Sequence, residues 1–274
     1  MYVCYNVHMI TIEKNTIYNE DCLDTMGRML DNSIDLVITS PPYDNLRKYE
    51  GFVFDFDKIS VELFRIIKLG GVVVWVCNNA TIKGSETGTV FKQVLKFMEI
   101  GFRLHDTMIY AKNYYVPLNH ERYEQEFEYM FVLSKGKPKT FNPILIKTKL
   151  HGLSKPRSKN QYVAKSGAFR SVIGKTTVTK KFKIKGNIWY YDPNNKHRRI
   201  QHPAKFPLDL VKDHIGSWSN ELDVVYDPFS GSGTTASGAI ALNRYYIGSE
   251  ISTKYWNDSL IELEIVKKEN DYKL

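Results

Sequence analysis

The chain has 274 residues, 43% hydrophobic and 25% charged, enough for one large domain or one domain carrying an insertion. Its net charge of +8 at pH 7 excludes an acidic, solvating chain and makes a polyanion the partner to look for. No apolar run approaches the roughly 20 residues of a membrane span, so no membrane partner is expected.

Taken in order, the first half alternates strand and helix signals, as an α/β fold does. Residues 1–10 lack the basic start and cleavage site of a secretory signal, and Met9 is an alternative start to Met1. A short strand at Thr16 to Asn19 leads to a helix at Leu23 to Leu30. Ile34 to Thr39 is a nearly continuous apolar strand, the pattern of a parallel strand covered on both faces. A helix from Lys58 to Lys68 carries Ile59, Leu63, Ile66 and Ile67 on one face and is expected to end at Gly70-Gly71. Val72 to Val76 reads as a buried strand, Asn78 to Gly88 as a loop, and Val90 to Met98 as a helix closed by Gly101. Leu104 to Tyr110 and Tyr129 to Leu133 read as an antiparallel hairpin at the sheet edge. Regular α/β pattern resumes near Pro203, with helices at Pro207 to Ile215, Thr234 to Leu242 and Lys254 to Val266, and strands at Leu222 to Tyr226 and Tyr245 to Gly248. The layout is α/β, a Rossmann-like sheet interrupted by one insertion.

That insertion holds the charge. From Ser134 to Tyr191 there are 15 Lys and Arg and no Asp or Glu, which leaves 23 basic against 30 acidic residues elsewhere. Fifty-eight residues without a carboxylate, carrying Tyr162, Phe169, Phe182, Trp189 and Tyr190, read as a nucleic-acid-binding surface. Lys180, Lys181, Lys183 and Lys185, with Arg198 and Arg199 just beyond the stretch, are the candidate nucleic-acid contacts. Cys4, Cys22 and Cys77 are odd in number and lack metal-type spacing, and the seven His are scattered. A reduced cytoplasm and no metal are therefore expected.

Two motifs stand at opposite ends of the chain, each after an apolar strand. Asp227-Pro228-Phe229-Ser230-Gly231-Ser232-Gly233-Thr234-Thr235 lacks the Lys of a phosphate-binding P-loop, which argues against a nucleoside triphosphate. Its glycines allow close backbone approach to a ligand. Glu250, 17 residues beyond Gly233 at the end of the next strand, sits near the offset at which an acid takes ribose hydroxyls. That spacing suits NAD and other adenosine cofactors alike.

The second motif, Thr39-Ser40-Pro41-Pro42-Tyr43, decides between them. It resembles the catalytic motif of amino-methyltransferases acting on exocyclic nitrogens of DNA bases, in which Asp, Asn or Ser precedes Pro-Pro and an aromatic. Catalytic motif first, basic region next and cofactor turn last is the circularly permuted order of the family's beta group. The resemblance implies a methyltransferase sheet divided as a catalytic half (1–133), a target-recognition region (134–199) and a cofactor half (200–274). It implies S-adenosylmethionine as cofactor and double-stranded DNA as substrate, and it requires no metal. In that setting Ser40 and the Pro41 carbonyl accept from the base amino group, and Pro42 completes the turn. Tyr43 stacks on a base flipped out of the duplex. The cofactor residues carried over are Asp21 and Cys22 in Asn19-Glu20-Asp21-Cys22, Lys205 in His202-Pro203-Ala204-Lys205-Phe206-Pro207, and Asp227, Phe229, Ser230, Gly231, Gly233, Thr234 and Glu250. Phe127-Glu128-Tyr129 falls where the family lines its base pocket. The serine form of the motif goes mostly with cytosine-N4 enzymes and the aspartate form with adenine-N6 enzymes. Cytosine-N4 is the expectation here, with adenine-N6 the alternative and a non-catalytic DNA-binding protein a remote third. A homodimer and a cognate restriction endonuclease are further expected partners.

Neutralising Lys180, Lys181 and Lys183 together is expected to flatten the salt dependence of DNA binding, by about 0.9 in the log–log slope for each phosphate that a lysine no longer neutralises. Titrations of labelled duplex across a salt series measure this.

Overall fold

The structure is a computed structural model describing residues 12–42, 54–112, 122–149, 152, 154–155, 160–163, 169–172, 177–192 and 207–271. Tyr43, Arg198, Arg199, Lys205 and the rest of 200–206 lie outside the described residues.

Eight strands form one sheet: β1 (Thr16–Tyr18), β2 (Ile34–Thr39), β3 (Ile67–Cys77), β4 (Arg103–Lys112), β5 (Phe127–Ser134), β6 (Ile188–Tyr191), β7 (Val224–Asp227) and β8 (Tyr245–Ser249). Their order is β1-β8-β7-β2-β3-β5-β4-β6. Only β5 runs against its neighbours; the other pairings are parallel. The helices are α1 (Cys22–Arg28), α2 (Phe56–Ile66), α3 (Thr89–Ile100), α4 (Leu208–Trp218), α5 (Thr234–Ala241) and α6 (Thr253–Asp271). The antiparallel hairpin β4–β5 lies toward one edge, as the sequence pattern suggests, and β6 adds outside it, parallel to β4.

Covered on both faces, β2, β3 and β7 bury nearly every side chain, and Trp75, Tyr226, Ile34, Leu36 and Ile38 are among the largest fully buried groups. Helix α2 begins on Asp55, whose carboxylate accepts from the Lys58 N–H at 3.1 Å. Its Arg65 donates to the carbonyls of Met26 (2.6 Å) and Met29 (2.9 Å), satisfying the carboxyl end of α1.

The Gly70-Gly71 pair does not separate helix from strand as the sequence pattern suggests. Helix α2 stops at Ile66, Ile67 already pairs with Ile34, and the glycines form an irregularity inside β3 before the ladder resumes at Leu36–Val72. Gly70 has φ +83, and a Cβ there would stand 2.8 Å from Lys139 Cβ. A Cβ on Gly71 would stand 2.9 Å from the Asp35 carbonyl.

Residues 134–199 are not one body. Ser134 closes β5, Ile188–Tyr191 is β6, and Trp189 is buried, its ring 4.7 Å from that of His214, so it is core rather than binding surface. The separate compact unit spans Pro143–Gly186. Within it three antiparallel ladders are nested: Leu145–Lys147 with Phe182–Ile184, Ser154–Lys155 with Thr177–Val178, and Asn160–Val163 with Phe169–Val172. Leu145, Phe182 and Ile184 are exposed, as are Lys180, Lys181 and Lys183, while Lys185 is half-buried.

Gly71→Ala is expected to lower stability by about 1–3 kcal/mol, because its Cβ meets backbone that cannot yield. Gly27→Ala in α1, with open space around it, is expected to gain about 0.5–1 kcal/mol. Denaturant midpoints at constant m-value separate the two.

Candidate active site

Connection through α2 carries the chain from β2 outward to β3, whereas connection through α5 carries it from β7 the other way to β8. The strand order therefore reverses between β2 and β7, and in open α/β sheets ligands bind at the carboxyl ends of strands where this happens. Both sequence motifs emerge there. Ser40-Pro41-Pro42 follows β2, and Phe229 to Thr234 follows β7.

Asp227 joins them. It ends β7 and is 2% exposed. Its Oδ1 accepts from Thr39 Oγ1 at 2.7 Å and from the Phe229 N–H at 3.0 Å, and its Oδ2 accepts from Thr235 Oγ1 at 2.7 Å. Burial pushes its carboxyl up to about 6, against the three donors, which favour the ionised form.

Gly231 (φ +53) and Gly233 (φ +80) turn the chain into α5 through the left-handed region. Gly233 is the N-cap of that helix and supplies no side-chain cap, and the first turn holds no acid. Helix α5 is nearly all small residues, and a Cβ on Gly238 would stand 2.9 Å from Val211 of α4. The hydroxyls of Ser230 and Ser232 are buried without a hydrogen-bond partner. Two orphaned hydroxyls beside an uncapped helix start fit a polar ligand laid along the turn.

Glu250 closes the other side. Its Oε2 accepts from the Gly231 N–H (2.7 Å) and its Oε1 from the Ser252 N–H (2.9 Å). Burial raises its carboxyl above the usual range. A carboxylate has about four acceptor positions, so each oxygen keeps capacity for a ligand hydroxyl. Asn19, just past β1, donates to the Glu250 carbonyl at 2.8 Å and fastens the ends of β1 and β8 together. Asp21 is half-buried and caps α1, accepting from the Leu23 N–H at 2.7 Å. The Cys22 side chain packs into the hydrophobic core and burial pushes its thiol up, so it offers the site no thiolate.

Behind the turn stands an aromatic cluster that the motifs do not reveal. The Phe229 ring lies 5.7 Å from Phe54 and 6.3 Å from Trp75, and Trp75 packs on Phe56 and Phe97 while donating its indole N–H to Gln93 at 3.0 Å. Phe127 and Tyr129 begin β5, whose reversed direction brings its start to the edge where β3 ends, and Cys77 pairs with Tyr129. Thr39, Thr235 and Asn19 stand inside the quoted motifs with no role assigned to them, and Phe54 lies outside the motifs altogether. Neither Thr39 nor Thr235 carries a signal of its own, since Asp35 shares the strand with the first and Thr234 and Ser237 surround the second. Among the described residues no group of three or more His, Cys, Asp or Glu could hold a metal ion.

Comparison with known proteins agrees with this geometry. A family model described as DNA methylase, covering N6 and N4 enzymes, matches residues 34–261. The chain belongs to this family. The orphan methyltransferase M.BamHII of Bacillus amyloliquefaciens is 49% identical over 231 residues, covering 82% of this chain and 86% of that protein. Among solved structures, the PvuII DNA methyltransferase (cytosine-N4-specific) superposes with a TM-score of 0.69 at 20% identity, covering 95% of this chain and 93% of that one. TTHA0409 of Thermus thermophilus, solved in complex with S-adenosyl-L-methionine, superposes with a TM-score of 0.61 at 20% identity, over 91% of this chain and 95% of its own. The Rossmann-like methyltransferase fold is thereby established for this chain, and with family membership the chain is a DNA methyltransferase.

The raised carboxyl of Asp227 fixes the sign of a pH effect. Between about pH 4 and 6 the unfolded chain releases this proton and the folded chain keeps it, so stability falls as pH rises and levels off above about 6. Relative to Asp227→Asn, the wild-type chain is expected to lose about 3 kcal/mol across that window. Paired urea titrations at pH 4, 5, 6 and 7 measure the difference.

Proposed function

We propose that the chain transfers a methyl group from S-adenosylmethionine to the exocyclic N4 of cytosine in double-stranded DNA. The observation that carries this reading is Ser40-Pro41-Pro42 at the carboxyl end of β2, beside the Gly-rich turn that ends β7. The orphaned hydroxyls of Ser230 and Ser232, the uncapped start of α5 and the buried carboxylate of Glu250 suit the cofactor. Glu250 would hold its ribose hydroxyls and Asp21 its adenine. Phe229 would flank it, and Ser230, Gly231, Gly233 and Thr234 would line its methionine end, with Lys205 toward the carboxylate. The cofactor supplies an electrophilic methyl group on a sulfonium sulfur.

The chain's own part is positioning. An amino group on a base is a poor nucleophile because its lone pair is delocalised into the ring. Acceptors at Ser40 Oγ and the Pro41 carbonyl would take its two N–H bonds and favour a pyramidal nitrogen. A proline has no N–H to return to the ladder, so the Pro-Pro turn leaves the sheet with its carbonyls available. Tyr43 would stack on the flipped base. Such placement, with preorganised acceptors, accounts for the rate without a covalent intermediate.

Ser40 supports cytosine, since a hydroxyl both accepts from an amino group and donates to a ring nitrogen, whereas a carboxylate only accepts. Adenine-N6 transfer is the second reading, because the matching family spans both chemistries. The exposed lysines of the Pro143–Gly186 unit would contact the duplex. A second copy of the chain and a cognate restriction endonuclease are the other proposed partners, in a bacterial cytoplasm.

The test is incubation with methyl-labelled S-adenosylmethionine and duplex DNA, followed by hydrolysis and chromatography of the nucleosides. Label in N4-methylcytosine is expected. Label in N6-methyladenine alone overturns the base, and label only in protein or RNA overturns the substrate. Ser40→Ala and Tyr43→Ala are each expected to lower turnover on the order of a hundred-fold while calorimetric cofactor affinity stays unchanged.

A further inference from the structure

Motif reading gives Thr39 no role beyond ending a strand. Yet it is fully buried, and its hydroxyl is spent on the carboxylate of Asp227 at 2.7 Å. The pairing of β2 with β7 covers just Val225–Leu36 and Tyr226–Val37. Beyond Tyr226 the two strand ends are joined by side chains instead, by the Thr39–Asp227 bond and by Thr235, which donates to Asp227 and lies 3.4 Å from the Ile38 carbonyl. On its other side Thr39 pairs with Trp75, whose ring packs on Phe229. The residue preceding Ser40 is thus gripped from both flanks by groups that also hold the Gly-rich turn. A valine would fill the same volume and suit an apolar strand, so volume does not account for the hydroxyl.

We propose that Thr39 is a positioning residue, whose hydroxyl bond to Asp227 sets Ser40 and the Pro41 carbonyl in register with whatever occupies the Gly-rich turn. Asp227 accepts from the Phe229 N–H and from Thr39 on the same oxygen, so movement of the turn is passed to the end of β2. Thr235 donates to the other oxygen from α5 and belongs to the same clamp.

The experiment compares Thr39→Val, Thr39→Ser and Ser60→Ala with the wild-type chain, reading total label transferred to DNA and cofactor affinity by calorimetry. It rests on methyl transfer to DNA, whichever base is the acceptor. Thr39→Val is expected to lower kcat at saturating cofactor about ten- to a hundred-fold with cofactor affinity kept. Thr39→Ser restores most of that rate, and Ser60→Ala, which removes a buried hydroxyl of α2 outside both motifs, retains kcat and cofactor affinity. The inference is overturned by Thr39→Val turning over at the wild-type rate, by a loss confined to KM for the cofactor, or by Thr39→Ser failing to rescue. An equal fall in kcat for Ser60→Ala also overturns it, since that would mark a general sensitivity to losing any buried hydroxyl. Should Thr39→Val not fold, Thr39→Ala decides, because it removes the hydroxyl without adding bulk; unaltered kcat there overturns the inference. A wild-type chain that labels no DNA fails the methyltransferase reading itself, and that outcome is seen before any variant is compared.

Discussion

The buried carboxylate of Asp227 accepts hydrogen bonds from Thr39 at the end of β2, from the backbone of Phe229 and from Thr235 in α5. A carboxylate taken out of water is costly unless its oxygens are satisfied. The same donors, left unmet by a truncation to alanine, would each forfeit about 1–3 kcal/mol. Charge and donors therefore hold one another in place, and the two motifs keep a fixed separation because both are tied to the same two oxygens. The aromatic packing of Phe229 on Phe54 and Trp75 supports the turn from behind.

Seen from this carboxylate, the unusual order of the motifs along the chain loses its strangeness. What the site needs is β7 beside β2, and the sheet provides that pairing although 188 residues separate Thr39 from Asp227. The closure between β1 and β8 is of the same kind, since Asn19 reaches the Glu250 carbonyl and Trp256 donates to the Ile17 carbonyl at 2.7 Å. Chain order is then a matter of where the termini fall, and catalysis depends on which strand ends share an edge.

How much of this was legible in the sequence follows from the range of the forces involved. Strands β2, β3, β7 and β8 show themselves through continuous apolar runs, because burial on both faces leaves no room for alternation. Helices α2 and α3 show themselves through their apolar spacing. The two turns are legible because glycine and proline restrict local backbone in ways few other residues do. Neighbour relations are not local, however. Nothing near Ile188 announces that it will pair with Ile109, and Trp189 in an acid-free stretch resembles a binding aromatic until its ring is found against His214. Gly70-Gly71 misleads for a related reason. Glycines end helices often, but here they let β3 bulge past the backbone of Asp35 and Lys139. Thr39 and Thr235 stay invisible because a threonine beside a long-range partner looks like any other β-branched residue.

The nested ribbon of Pro143–Gly186 has one more property, set by how the chain leaves and rejoins the sheet domain. Asn142 is pinned by its N–H to the Ser217 carbonyl (2.8 Å) and by its amide to the Gly216 carbonyl (3.1 Å), and Asn187 by its amide to the Thr107 carbonyl (3.1 Å). Both attachment points are anchored within the larger domain. Lengthening such an excursion costs little, about 0.6 kcal/mol per doubling of a flexible loop. A change of length between the two asparagines therefore costs the strands, the turn and the carboxylate little, because both ends of the excursion are held by bonds within the larger domain.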